Sequence, residues 1–368
     1  MEPEPFKLER YFAEYEFNVR YLLSSSDCDG YSMNYVLSCA EHGEMELWNN
    51  MTLGYTDSLG HPLLRDAIAR HYNTIKREDV LVLSPGEANN FTMQLCLEKG
   101  AEVVCMRPAY QSLYQIAKSM GCSIRYWEPD DQGVFNVDDL SKLVTSRTRM
   151  IVVNFPHNPT GYYPSKEELN SIVAIASKHN TLLFSDEMYH KLVHDPALLN
   201  DSLCDLYDNA ISLWGTAKSF GLAGLRIGWL VTHNKQLLQK IAHFKDYYTI
   251  CSSAPSEILT MIALNNSERF IEVNLEKIRA NKHIFASFVE KHPELFNNYR
   301  ETNAGSTAFI KINIDGPTLN YTSRLVQESG IMMVPAEMFE YGHSHVRIGF
   351  GRANMPEALA AWESWMNR

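Results

Sequence analysis

The chain has 368 residues, 45% of them hydrophobic and 21% charged, with 33 Lys and Arg against 44 Asp and Glu for a net charge of −11. That length exceeds one small module and can bury a full core, so two domains, or one large α/β domain with an appendage, are expected. The composition excludes a disordered chain, and the acidic balance excludes a nucleic-acid or anionic-membrane surface as the main partner.

The N-terminus, MEPEPFKLERYF, has no basic region ahead of an apolar run, so neither a signal nor a transit peptide is expected. Apolar stretches such as IVV (151–153) are far short of a membrane span. The seven cysteines, at 28, 39, 96, 105, 122, 204 and 251, never form a CxxC pair. They read as reduced thiols of a cytoplasmic protein, with no disulfide framework and no metal site.

From about residue 60, amphipathic helices alternate with short apolar strands. LLRDAIARHY (63–72) predicts a helix, VLVLS (80–84) a strand and ANNFTMQLCLEKG (88–100) a helix stopped at Gly100. AEVVCM (101–106) predicts a strand, AYQSLYQIAKSMG (109–121) a helix and SIRYW (123–127) a strand. RMIVVNF (149–155) is strand-like, and SKEELNSIVAIASKH (165–179) is a helix opened by a Ser165/Glu168 capping-box pair. TLLFSD (181–186), AISLWG (210–215) and LRIGWLV (225–231) are further strands. Continuous apolar strands between helices predict an α/β fold with a mostly parallel sheet covered on both faces. Beyond about residue 255 the texture changes: a charged helix (271–292), strands near 306–313, 330–334 and 345–350, and a helix at 355–366. This part reads as a smaller α+β domain.

Sheets of this class bind ligands at the carboxyl ends of their strands, so the polar residues just after each strand matter most. Lys218 follows AISLW among small residues, where burial would disfavour its ammonium form and suit a Schiff-base lysine. Arg226 comes eight residues later, and two cations this close argue for a bound anion. Glycines 221, 224 and 228 lie between strands at the wrong spacing for a dinucleotide fingerprint. Asp186 ends TLLFSD with Tyr189 three residues on. Such an acid is commonly a turn or cap residue, but it also suits a buried carboxylate pairing with a protonated heterocycle nitrogen. Asn158 sits in the rigid turn VVNFPHNPTG, which presents an amide able to donate and accept. SPGEAN (84–89) places Gly86, Glu87 and Ala88 where backbone N–H groups could meet an anion. Tyr110 follows Pro108 and could stack on a planar ring or simply join the core.

The order Gly86, Tyr110, Asn158, Asp186, Tyr189, Lys218, Arg226, Arg347 resembles the class I/II (fold type I) pyridoxal-5′-phosphate (PLP)-dependent aminotransferases over essentially the whole chain. NFPHNPTG (154–161), SDEMY (185–189) and KSFGLAGLR (218–226) carry the resemblance most specifically. It implies a large PLP-binding domain at 45–255, with 1–44 and 256–368 forming the small domain. It also implies an aminotransferase acting on an amino acid and a 2-oxo acid. By resemblance Lys218 would form the aldimine and shuttle the proton between Cα and C4′, and Asp186 would keep the pyridine nitrogen protonated. Tyr189 and Asn158 would bond O3′, and Tyr110 would stack on the ring. Glu87 and Ala88 N–H groups and Arg226 would hold the phosphate, and Arg347 would clamp the substrate carboxylate. Tyr55 is placed like the tyrosine that reaches a neighbouring subunit's phosphate, which implies a homodimer with shared sites. Two departures stand out. The family commonly has Ser or Thr three residues before the lysine, where this chain has Gly215, with Thr216 as the substitute phosphate ligand. Ala217 stands where Ser is frequent.

LLSSSDC (22–28), GSTAFIKI (305–312) and SGIMMVPAEMFE (329–340) are also similar to capreomycidine-synthase-like members, which share the lysine but eliminate and cyclise an arginine derivative. Elimination or cyclisation is therefore the alternative to transamination. The Ser24-Ser25-Ser26 run is expected as a polar N-terminal turn, with a position over the site as the second reading. A non-catalytic sensing or structural protein on this fold is the third reading, and the intact lysine, aspartate and arginines weigh against it.

Overall fold

A computed structural model describes residues 2–296 and 299–368. Its twelve strands are β1 (Tyr21–Leu22), β2 (Val80–Leu83), β3 (Glu102–Met106), β4 (Ser123–Trp127), β5 (Thr148–Asn154), β6 (Leu182–Asp186), β7 (Ala210–Gly215), β8 (Gly228–Val231), β9 (Thr307–Lys311), β10 (Ile331–Met332), β11 (Val334–Pro335) and β12 (His345–Gly349). Every residue of β2, β3, β7 and β8 is buried, as their unbroken apolar runs require of strands covered on both faces.

Seven of them form one sheet in the order β2-β8-β7-β6-β5-β3-β4. All neighbours run parallel except β8, which is antiparallel to both β2 and β7. The carboxyl ends of β5, β6 and β7 therefore meet at one edge, and the amino end of reversed β8 arrives beside them. Asn154 pairs with Asp186 in register, and Gly215 pairs with Gly228. A second sheet, β11-β12-β9, is antiparallel, and β1 pairs with β10 in parallel, Tyr21 opposite Ile331. The N-terminal segment is thus built into the C-terminal part.

Ser165 caps the helix Lys166–Lys178 and Glu168 returns the bond, Ser165 N–H to Glu168 Oε2 at 2.7 Å. Three boundaries differ from expectation for local reasons. The helix expected at 88–100 runs Pro85–Cys96, because Ser84 caps it and Pro85 suits its first turn. The strand expected from 225 starts at Gly228, because a 3₁₀ turn at Ala223–Leu225 leads into Arg226 at φ +56°. The strand expected at 330–334 is β10 and β11, which pair with different partners. The helix Ala254–Asn265 packs against Pro62–Ala69. Helices Lys7–Tyr15 and Thr318–Ser329 are further elements that apolar periodicity did not mark. No helix among the described residues is long and apolar enough to cross a membrane.

Candidate active site

Strand ends place the chemistry. Asp186 closes β6 as a buried residue, one of its oxygens taking the Met188 N–H at 3.1 Å. No cation among the described residues pairs with it. Burial pushes its pKa up from 3.8 to about 7, against the opposing pull of the Met188 N–H and the Lys218 charge. A carboxylate kept this way is matched to a cationic N–H ligand. Asn154 fixes the surroundings: its Nδ2 donates to the Asp186 carbonyl at 2.7 Å and its Oδ1 accepts the Asn158 N–H at 2.8 Å. Glu187 is equally buried and turns away from the site. It accepts Ser202 Oγ at 2.6 Å, Ser212 Oγ at 2.8 Å and Leu203 N–H at 3.0 Å, anchoring the end of β6.

Arg347 lies in β12 and is 1% exposed. Its Nε and Nη2 donate to the Ser24 carbonyl at 3.1 and 2.8 Å, and Nη1 donates to Asn158 Oδ1 at 3.1 Å. Phe12 and Phe339 flank the guanidinium at 5.6 and 5.5 Å. No carboxylate among the described residues pairs with it, and burial lowers its pKa. A buried guanidinium without a counter-ion is a receptor for an anion. Because Asn158 Oδ1 is committed to Arg347, the Asn158 amide presents its N–H₂ side to a ligand.

Lys218, half-buried after β7, donates from Nζ to Ser26 Oγ at 2.9 Å. Tyr189 is buried within electrostatic reach of both Arg347 and Tyr110. Tyr110 is half-buried, its ring 4.8 Å from Phe6 and its hydroxyl donating to Glu9 at 2.7 Å. Burial, reinforced by Glu9, raises the Tyr110 pKa.

The anion end of the site departs from expectation. Thr216 is fully buried, and its hydroxyl donates to the carbonyls of Leu222 and Ile227 at 3.3 and 3.1 Å. A side chain at Gly215 would meet the Ile227 carbonyl at 2.9 Å, because β7 and β8 approach too closely there for Ser or Thr. The N–H groups of Glu87 and Ala88 are engaged within the helix turn, by Ser84 Oγ at 3.4 Å and the Ser84 carbonyl at 3.0 Å. The Glu87 carboxylate binds back to Ser84 N–H at 2.9 Å and takes Thr249 Oγ1 at 2.7 Å. Gly86, exposed at the start of this helix, supplies the N–H ahead of those bonds. Arg226 is exposed in a left-handed conformation, with Nη1 touching only the Ala223 carbonyl at 3.2 Å. Tyr55 is 86% exposed, and Leu53, Tyr247 and Tyr248 are exposed as well. Thr56 Oγ1 joins the two loops at the Ser252 carbonyl, 3.0 Å away.

Of the two readings of the N-terminal serines, the contacts agree with the second, a position over the site. The run Ser24–Ser26 is buried. Ser25 lies so close beneath Gly349 that a Cβ there would sit 1.8 Å from the Ser25 carbonyl. The Gly349 N–H donates to the Leu23 carbonyl at 2.9 Å, and Ser306 Oγ donates to the Ser26 carbonyl at 2.6 Å. Glycines at 349 and 351 in HVRIGFGR were the readable sign that another backbone runs against them.

The residues present fit pyridoxal phosphate on these observations. Asp186 pairs with no cation among the described residues, Asn158 offers an amide N–H, Lys218 offers an amine, and Arg226 with Gly86 offers donors for an anion. Comparison with known proteins agrees. The family described as aminotransferase class I and II matches residues 21–361. The chain is 28% identical to capreomycidine synthase of Streptomyces vinaceus, over 96% of this chain and 92% of that one. A PLP-dependent aminotransferase of Streptococcus suis superposes with a TM-score of 0.92 at 25% identity, covering 100% and 99% of the two chains. A PLP-dependent cyclase superposes with a TM-score of 0.91 at 25% identity, covering 100% and 98%.

Proposed function

Because the chain belongs to the class I and II aminotransferase family, whose membership implies PLP, we propose that it is a PLP-dependent aminotransferase exchanging an amino group between an amino acid and a 2-oxo acid. The observation that carries this reading is Arg347, buried, without a carboxylate partner among the described residues, and hydrogen-bonded to the Asn158 side chain. Such a guanidinium binds and orients an α-carboxylate bidentately. Bound here, PLP supplies an aldehyde that captures amines and a cationic ring that accepts the electron pair of a broken Cα–H bond.

Asp186 holds the ring nitrogen's proton, because the pairing compensates a carboxylate that burial otherwise drives towards neutrality. Asn158 and Tyr189 donate to the ring hydroxyl position, and Tyr110 covers the ring face. Gly86 N–H and the Arg226 guanidinium hold the phosphate. Lys218 Nζ takes the proton from Cα and returns it one position away. Phe12 and Phe339 keep water from Arg347, which strengthens its hold on the carboxylate. We place Tyr55 at the phosphate of a second copy, and the exposed Leu53, Tyr55, Tyr247 and Tyr248 supply an apolar face for that homodimer.

Mixing the PLP-loaded enzyme with single amino acids tests the reaction. Conversion of the visible absorbance to that of the aminated cofactor, with one equivalent of oxo acid, is the expected result. Ammonia or a cyclic product without that conversion would establish elimination or cyclisation instead, the reading favoured by the similarity to capreomycidine synthase and the cyclase. A second measurement concerns the clamp. Arg347→Lys keeps the charge but loses the planar fork, so kcat/KM for the amino acid is expected to fall roughly 10²- to 10³-fold. Carboxylate inhibitors should lose affinity in parallel, and an unchanged inhibitor constant would move the carboxylate site elsewhere.

A further inference from the structure

The segment Ser24–Ser26 touches two functional side chains far away in sequence: the Ser24 carbonyl holds Arg347, and Ser26 Oγ accepts Lys218 Nζ at 2.9 Å. Ser26 is 8% exposed. Its backbone is pinned by Ser306 Oγ at 2.6 Å, and its neighbours are wedged against Gly349 and Gly351, where only glycine leaves room. The Ser26 backbone is therefore held in place relative to β12. No carboxylate among the described residues pairs with Lys218. Ser26 is the side chain that contacts its reactive nitrogen.

We propose that Ser26 is a further catalytic residue, whose hydroxyl oxygen receives the Lys218 amine when it is freed from the cofactor and holds it as the Cα proton is transferred. This rests on the aminotransferase reading above. When the Cα–H bond breaks, its electron pair stays with the substrate and the proton joins the Lys218 lone pair. The resulting ammonium then has three N–H groups, and Ser26 Oγ accepts one of them. The proton is later released from the same nitrogen, so no other reactant is needed. A hydroxyl acceptor stabilises the ammonium more than the neutral amine, because bonds to charged donors are the stronger ones. It also restricts the amine to one side of the substrate, which favours transfer along one direction.

The test uses cofactor-free and PLP-loaded protein of wild type, Ser26→Ala and Ser26→Thr. In cofactor-free protein, the rate of Lys218 modification by an amine-reactive reagent is followed against pH by peptide mass spectrometry. Loss of the acceptor in Ser26→Ala should move the midpoint of that profile down by about one pH unit. In loaded enzyme the same variant should lose roughly 10- to 100-fold in kcat, with KM for the amino acid within about 2-fold and a larger Cα-deuterium isotope effect. Ser26→Thr, which keeps a hydroxyl, should restore both. An unmoved labelling midpoint overturns the proposal, as does a moved midpoint with unchanged kcat, or a Thr variant indistinguishable from Ala. If Ser26→Ala unfolds well below wild type, Ser26→Cys takes its place, since sulfur is a weak acceptor of similar size. Failure of the underlying reading has a different signature: wild type would release ammonia or a cyclic product without converting its visible band to that of the aminated cofactor, while the cofactor-free labelling shift would persist.

Discussion

Lys218→Ala is expected to lower turnover by at least about 10⁴-fold, the upper range for removing a positioned acid–base group, with the covalent link to the cofactor lost as well. The fold should survive, because Lys218 is half-buried and its hydrogen bond is to Ser26 alone. Purified variant should lack the visible absorbance of wild type after gel filtration, since PLP would be held by noncovalent contacts alone. Adding a small primary amine should recover part of the proton-transfer rate without restoring covalent retention. A variant that kept more than about one per cent of wild-type turnover would remove Lys218 from the role of base.

Asp186→Asn should separate stability from activity. The wild-type carboxyl has its pKa raised from 3.8 to about 7 by burial, so it is protonated in both folded and unfolded chains below pH 3.8. As pH rises towards 7 the unfolded chain ionises freely and the folded one resists, so stability is lost across that window. Above pH 7 the cofactor-free Asn variant should be the more stable protein, by roughly 2 to 4 kcal/mol at most, and the difference should vanish near pH 4. Thermal unfolding at pH 4, 6 and 8 reads this directly. With PLP and substrate the order reverses. An amide does not balance a pyridinium charge, and turnover should fall about 10³-fold or more. A cofactor-free Asn variant no more stable than wild type at pH 8 would mean that the carboxyl is relieved by water or by motion of the loop. Both outcomes follow from one fact, that a catalytic charge is held where the unliganded fold would favour neutrality.

Much of this site was legible in the sequence because a parallel sheet announces its ligand edge. Asn158, Asp186 and Lys218 each stand just after an apolar run, and strand ends are where such sheets bind. Arg347 was legible through resemblance, since its position in β12 has no local signal of its own. What remained hidden depends on contacts between distant segments. Glu87 and Ala88 looked like free donors, yet the residue that caps their helix, Ser84, consumes both N–H groups. Thr216 looked like a displaced phosphate ligand, yet the close pairing of Gly215 with Gly228 turns its hydroxyl inward. Ser26 looked like a turn residue because three serines in a row have no periodicity. Its burial is imposed by β12 and by Ser306, some 280 residues later.

A neighbouring contact of the same strap bears on when the enzyme can first work. Ser24 must wait for Arg347, 323 residues downstream. At roughly 5 to 20 residues per second, a ribosome needs about 15 to 65 s between making the two. From Val231 to Arg347, roughly 6 to 23 s at the same rate, the nascent chain can carry a complete β2–β8 sheet with Asp186 and Lys218 in it, but with neither the Ser24–Arg347 contact nor the Ser26 contact in place. Pairing so far apart in sequence is among the last structure to form. The strap of three serines therefore ties completion of the Arg347 end of the proposed site to the end of the chain's synthesis.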